Sequence, residues 1–167
     1  VTRRYKVSPE SLVPVFETAQ LIGKERRIDP LLIVAIIGIE SRFNPFAQSS
    51  MGAQGLMQFM PGTFAAYGVD GDGDGRRDIH SDADSIYSAA NYLVRSGVRT
   101  GRAGVIGALW AYNRSFSYRN DVLFYAWSYA GQAGAVADDA ADPSDCFGLG
   151  GEIPGFDGSC PPSGSAA

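Results

Sequence analysis

The sequence predicts a single, mainly α-helical domain of the α+β class, and three observations carry that reading. Apolar residues recur at helical spacing in segment after segment, few segments alternate with period two, and 167 residues suit one core large enough to fold without staples. Strands are therefore expected to be short at most, and no internal repeat is visible.

The elements follow in order. Ser8-Pro9-Glu10-Ser11 has helix-start chemistry, and Val15, Phe16, Ala19, Leu21 and Ile22 continue at roughly helical spacing until Gly23, with Pro14 blurring the pattern. Asp29-Pro30 supplies an N-cap followed by proline at the first helical position, and Leu31 to Glu40 is then apolar all round, which predicts a central, buried helix. Asn44-Pro45 stops it shortly after Ser41. Small residues from Ser49 to Gly55 read as a loop packed closely on something, Leu56 to Met60 is short and apolar, and Thr63 to Tyr67 is a short helix after Pro61-Gly62. Beyond an Asp- and Gly-rich stretch, Ser85 to Val94, Val105 to Tyr112 and Val122 to Tyr129 read as three more helices. The predicted domain spans residues 1–130, and residues 131–167, rich in Gly, Ala, Asp, Pro and Ser, read as an irregular tail or linker.

Composition excludes several functions. The balance of 14 Lys+Arg against 18 Asp+Glu gives a net charge of −4 with no basic stripe, so nucleic-acid binding has no electrostatic footprint. No stretch reaches the roughly 20 apolar residues of a membrane helix. No export signal is visible at Val1, which fits a cytosolic protein or a chain from which the signal has been removed. Cys146 and Cys160 both fall in the tail, and a disulfide between them would suit an oxidising compartment.

Glu40 is the residue with the clearest chemical meaning. A carboxyl at the edge of so apolar a segment, at the negative end of a helix, is expected to hold its proton at higher pH than a free one, as a general acid must. Around it stand Glu40-Ser41-Arg42-Phe43-Asn44-Pro45, Ala47, Ser49, Gly52-Ala53, Gly55-Leu56-Met57-Gln58-Phe59-Met60-Pro61, Thr63 and Ala111-Tyr112-Asn113. In joint order and spacing, from about Ile28 to Tyr129, these resemble the signature of the soluble lytic transglycosylases, enzymes that cut the peptidoglycan glycan strand within a lysozyme-like fold.

Most glycosidases pair two carboxylates about 5 to 9 Å apart, yet no motif around Glu40 contains a second acid. The resemblance implies a one-acid mechanism. Glu40 protonates the bridging oxygen, the acetamido group of N-acetylmuramic acid stabilises the sugar cation, and Glu40 then takes the proton of the sugar's own C6 hydroxyl to leave a 1,6-anhydro product. It also implies glycan contacts from Gln58 and Met60, a Ser49 hydrogen bond to the acetamido group, and Tyr112 and Asn113 closing on the carboxyl and the reacting sugar, with Ser41 beside them or bracing Glu40. Read alone, Met60 suits the core as well as the cleft, Tyr112 suits packing, and Ser41 and Ser49 suit capping. The rival functions are a lysozyme-type hydrolase on the same bond and a non-catalytic glycan- or calcium-binding module.

Asp70-Gly71-Asp72-Gly73-Asp74-Gly75-Arg76 is the opening half of an EF-hand calcium loop, with oxygens at positions 1, 3 and 5, glycine at 6 and a backbone carbonyl at 7. Ser81 stands where the closing Glu belongs, and Asp84 lies three residues further on. This longer spacing, with Tyr67-Gly68-Val69 and Asp84 to Tyr92 around it, resembles the calcium loop of the membrane-bound lytic transglycosylase B family. The resemblance implies Asp70, Asp72, Asp74, the Arg76 carbonyl and Asp84 as ligands of a structural Ca2+, with no cofactor for catalysis. Asn113-Arg114-Ser115, in place of Asn-Ala-Gly, also leans that way. His80 alone, with no Cys or His neighbour, reads as a surface residue. The expected setting is a monomer acting on peptidoglycan in the cell envelope, periplasmic or extracellular.

Overall fold

The computed structural model describes residues 5–133. Among them are six helices: α1 (Pro9–Arg26), α2 (Pro30–Glu40), α3 (Pro61–Tyr67), α4 (Asp82–Arg95), α5 (Gly101–Tyr112) and α6 (Phe116–Ala133). The only strand-like pairings among the described residues are two isolated antiparallel bridges, Gln48 with Gln54 and Gln54 with Phe59. The domain is thus mainly helical, and its β component is one tight loop. The predicted Cys146–Cys160 bridge and most of the tail lie outside the described residues.

Helix α2 forms the centre, with Leu32, Ile33, Val34, Ala35, Ile36, Ile37 and Gly38 all buried. It packs most extensively on α6 and also on α1, while α1 lies on α4, α4 on α3 and α5, and α5 on α6. Asp29 caps α2 as expected, its Oδ1 accepting the Leu31 N–H at 2.8 Å. The close start of α2 beside α1 depends on Gly23, where a Cβ would stand 2.8 Å from the Ile28 carbonyl oxygen and from Pro30 Cγ. Gly23 therefore does not end α1, which runs through both Pro14 and Gly23 and stops only where Arg27 turns left-handed at φ 56°.

Four helices begin earlier than the sequence reading placed them, α3 by only two residues, at Pro61. Ser81 caps α4 by accepting the Asp84 N–H at 3.3 Å, so Asp84 sits inside the first turn. Helix α5 starts at Gly101, whose φ of 78° suits a residue without a Cβ. The Ser115 Oγ accepts the Tyr118 N–H at 3.3 Å and so supports the first turn of α6, which begins at Phe116. In α4 and α5 polar or glycine residues of the first turn masked a helix whose apolar face begins one turn later, whereas in α6 the buried Tyr118 already lies in the first turn.

Candidate active site

Glu40 is the last residue of α2, and the chain reverses directly after it. The Ser41 N–H and hydroxyl both donate to the Ile37 carbonyl, at 3.1 and 3.2 Å. Arg42 and Phe43 then take left-handed φ values of 53° and 65°. That strained pair is held because Phe43 is buried against the rings of Tyr5 and Phe16, at centroid distances of 5.1 and 6.3 Å. Ser41 itself is buried with its hydroxyl spent on the helix. The hydroxyl proton is thus committed to the Ile37 carbonyl, an arrangement in which Ser41 braces the end of the helix.

Burial pushes the Glu40 carboxyl up to about 7, against which Tyr118 works by favouring the ionised form. No second acid contributes to that shift. Tyr118 is buried, its hydroxyl lies against Glu40, and it makes no hydrogen bond of ordinary length and angle. Its ring stacks parallel to Tyr112 at 6.5 Å. Burial raises both phenols well above the usual tyrosine range, and the Glu40 charge adds to the effect. Both therefore stay protonated beside the acid.

Tyr118 escaped the sequence reading because α6 was started at Val122, which left Tyr118 in a loop. The missed signal was spacing: Tyr118, Val122 and Ala126 recur every four residues and are all buried.

Tyr112 lies near enough to Glu40 to feel its charge, and its hydroxyl donates to the Met57 carbonyl at 2.9 Å, tying α5 to the loop that follows Glu40. The ring also meets Phe59 and Tyr92, at 6.0 and 5.6 Å. Packing and proximity to the acid are both realised in this one side chain. Asn113, the exposed C-cap of α5, stands next to it.

The loop from 41 to 60 carries the other candidates. Ser49 Oγ accepts the Ala53 N–H at 2.9 Å, which spends a lone pair and leaves the hydroxyl proton for a ligand. Gln58 adopts φ 50° and holds it by donating Nε2 to the Ala47 and Gly55 carbonyls, at 2.9 and 3.0 Å. Both amide hydrogens are thereby used, and Oε1 is the atom left for a sugar. Met60 is 46% exposed, whereas Met57 is wholly buried, so of the two only Met60 can meet a ligand.

The Asp-Gly loop leans on this same segment. Gly55 lies so close to the Ile79 carbonyl that a Cβ would collide with it, and its φ is 78°. His80 reaches the Pro45 carbonyl at 3.4 Å and stacks on Phe46 at 6.3 Å. Of the five expected ligands, Asp70, Asp72 and Asp84 converge, with carboxylate oxygens within 4.8 Å of one another. Asp74 stays outside that group and accepts the Arg76 N–H at 2.7 Å. Asp84 is buried and accepts the N–H groups of Gly71 and Asp78, both at 2.7 Å. Among the described residues no Lys or Arg forms an ion pair with these three acids. Carboxylates so close, one of them buried and none paired with a described Lys or Arg, fit a hard divalent ion with oxygen ligands.

Residues 44–118 match the family model of the transglycosylase SLT domain, a match that begins just after Glu40 and ends on Tyr118. The chain is 40% identical over 77 residues to a membrane-bound lytic murein transglycosylase C of Actinobacillus pleuropneumoniae serotype 5b (strain L20), which covers 43% of this chain and 21% of that protein. It is 35% identical over 68 residues to a transglycosylase of Enterobacteria phage PRD1, covering 41% of this chain and 26% of the phage protein. The chain thus spans about a fifth to a quarter of the length of these curated relatives. No solved structure matches it.

Proposed function

We propose that this chain, which carries a transglycosylase SLT domain over residues 44–118, is a peptidoglycan lytic transglycosylase cleaving between N-acetylmuramic acid and N-acetylglucosamine. The observation that supports this best is the lone acid. Glu40 holds its proton to about pH 7 through burial, with no neighbouring carboxylate in the balance. In a two-carboxylate glycosidase the partner acid, about 5 to 9 Å away, would act as nucleophile or base. With no carboxylate among the groups that shift Glu40, the muramic unit supplies the nucleophile in this reading.

Glu40 gives its proton to the bridging oxygen as the bond from C1 breaks, and the muramic acetamido oxygen stabilises the positive C1. The Glu40 carboxylate so formed accepts the C6 hydroxyl proton while O6 bonds to C1. The proton balance closes on one residue, and water is not consumed. Tyr118 faces the carboxylate during the interval in which it is charged, which is when a phenol donor is worth most. Ser49, Gln58, Met60, Tyr112 and Asn113 border the sugar.

The Asp70, Asp72 and Asp84 group takes a structural Ca2+, which supplies charge balance to the loop and no chemistry. The chain works as a monomer in the cell envelope, periplasmic or extracellular, where its substrate is. Among the described residues no helix is long and apolar enough to cross a membrane. Digestion of purified peptidoglycan read by mass tests the reading. Fragments ending in 1,6-anhydro-muramic acid are expected, whereas reducing-end muramic acid would make the protein a hydrolase.

A further inference from the structure

Arg119 is a buried cation. It is 7% exposed, and among the described residues no carboxylate pairs with it. Its guanidinium lies over the Phe116 ring at 5.1 Å, and Nε and Nη2 share the Asn120 Oδ1 at 3.3 and 3.2 Å. A guanidinium has five N–H donors. The Asn120 oxygen occupies the Nε edge and leaves the end-on edge, formed by Nη1 and Nη2, unspent.

Beside it stands an aromatic platform. Phe116 is 64% exposed and Trp110 37%, with their centroids 5.0 Å apart. Large aromatic rings left in water on a folded surface suit the C–H faces of pyranose rings. Removing an arginine from water without an anion is costly, and a ring face with one amide oxygen offsets that only in part. An incoming carboxylate would complete the balance through a bidentate end-on contact.

We propose that Trp110, Phe116 and Arg119 form a subsite for an acidic sugar unit, the rings stacking on the saccharide and Arg119 binding a carboxylate on the muramic side arm. The subsite rests on the transglycosylase reading for the identity of the glycan, not for its chemistry.

The test measures binding separately from cutting, with the full chain carrying Glu40→Gln and soluble glycan strands of three kinds. These are peptide-bearing strands, amidase-stripped strands that retain only the lactyl carboxylate, and peptide-bearing strands whose carboxylates have been converted to amides. Carboxylated strands are expected to bind about tenfold or more tightly than amidated ones at low salt, with the advantage falling as salt rises. In Arg119→Gln, checked by thermal melting, that advantage disappears. Phe116→Ala, at an exposed position, weakens all three alike and so reports the platform even if Arg119→Gln fails to fold. Persistence of the advantage on stripped strands assigns the contact to the lactyl group, and its loss there assigns it to the peptide. Equal binding of carboxylated and amidated strands by the parent site would overturn the proposal. If binding follows this pattern but the unsubstituted chain releases no anhydro product, the transglycosylase reading fails and the subsite stands.

Discussion

At pH 7 the Glu40 carboxyl is about half protonated, and that single equilibrium makes predictions for both rate and stability. Gln at this position keeps the shape but has no proton to give, so Glu40→Gln should lower glycan cleavage about 10²- to 10⁴-fold, measured as release of soluble fragments. Stability should move the other way. The folded chain holds the proton to about 7 and the unfolded chain only to the ordinary 4.5, so between those values the folded state binds more protons. Stability therefore declines as pH rises through that window, and the penalty is in full force at pH 8. Removing the charge should stabilise the protein at pH 8 by on the order of 2 kcal/mol and have little effect near pH 4, read from denaturant midpoints. Tyr118→Phe tests the neighbouring group. The phenol favours ionised Glu40, so its loss should raise the Glu40 pKa above about 7 and displace the alkaline limb of the rate profile upward. An unmoved limb would mean that Tyr118 only packs.

Among the elements, α1 carries the plainest local conflict. Pro14 lies inside it, beyond the first turn where a missing N–H is harmless, and it is exposed. Pro14→Ala should therefore raise the melting temperature, with a gain of up to about 3 kcal/mol in stability. A lowered midpoint would show that the ring packs usefully. This helix also shows what was legible in the sequence. Ser8 and Asp29 announced two helix starts through cap chemistry, and the unbroken apolar run after Pro30 announced a buried centre, because such signals are local. Gly23 misled, because its reason for being glycine is the approach of Ile28 and Pro30, which only the packed chain brings about. Gly101 lay outside the predicted helices because a glycine-rich first turn carries no apolar period, whereas at Phe116 the four-residue spacing that starts at Tyr118 was present and missed. At the site, Glu40 and the order of motifs could be read directly. The spent hydroxyl of Ser41, the exclusion of Asp74 and the approach of Tyr118 to Glu40 are tertiary facts.

On the scale of the whole molecule, the acid loop and the catalytic loop form one mechanical unit. Asp84 anchors Gly71 and Asp78, Ser85 Oγ donates to the Ile79 carbonyl at 2.7 Å, Ile79 closes on Gly55, and Gly55 accepts the Gln58 side chain. Whatever fixes the three converging aspartates is thereby transmitted to the segment that borders Glu40. Millimolar Ca2+ should raise the melting temperature of the parent chain, since an ion bound only by the folded state at 100 times its Kd adds about 2.7 kcal/mol. Asp72→Ala should abolish that rise at small cost to the metal-free protein, because Asp72 is exposed and holds only Asp74 N–H and Ser81 Oγ, at 3.1 and 3.2 Å. Asp74→Ala should keep most of the rise, as that residue lies outside the converging group. The coupling also predicts that chelation slows glycan cleavage in the same titration, with a midpoint matching the loss of thermal stability. A melting temperature indifferent to both calcium and chelator would remove the ion from the account. Calcium-dependent melting with calcium-independent cleavage would leave the ion in place but break the link from Ile79 to Gly55 through which it is argued to act.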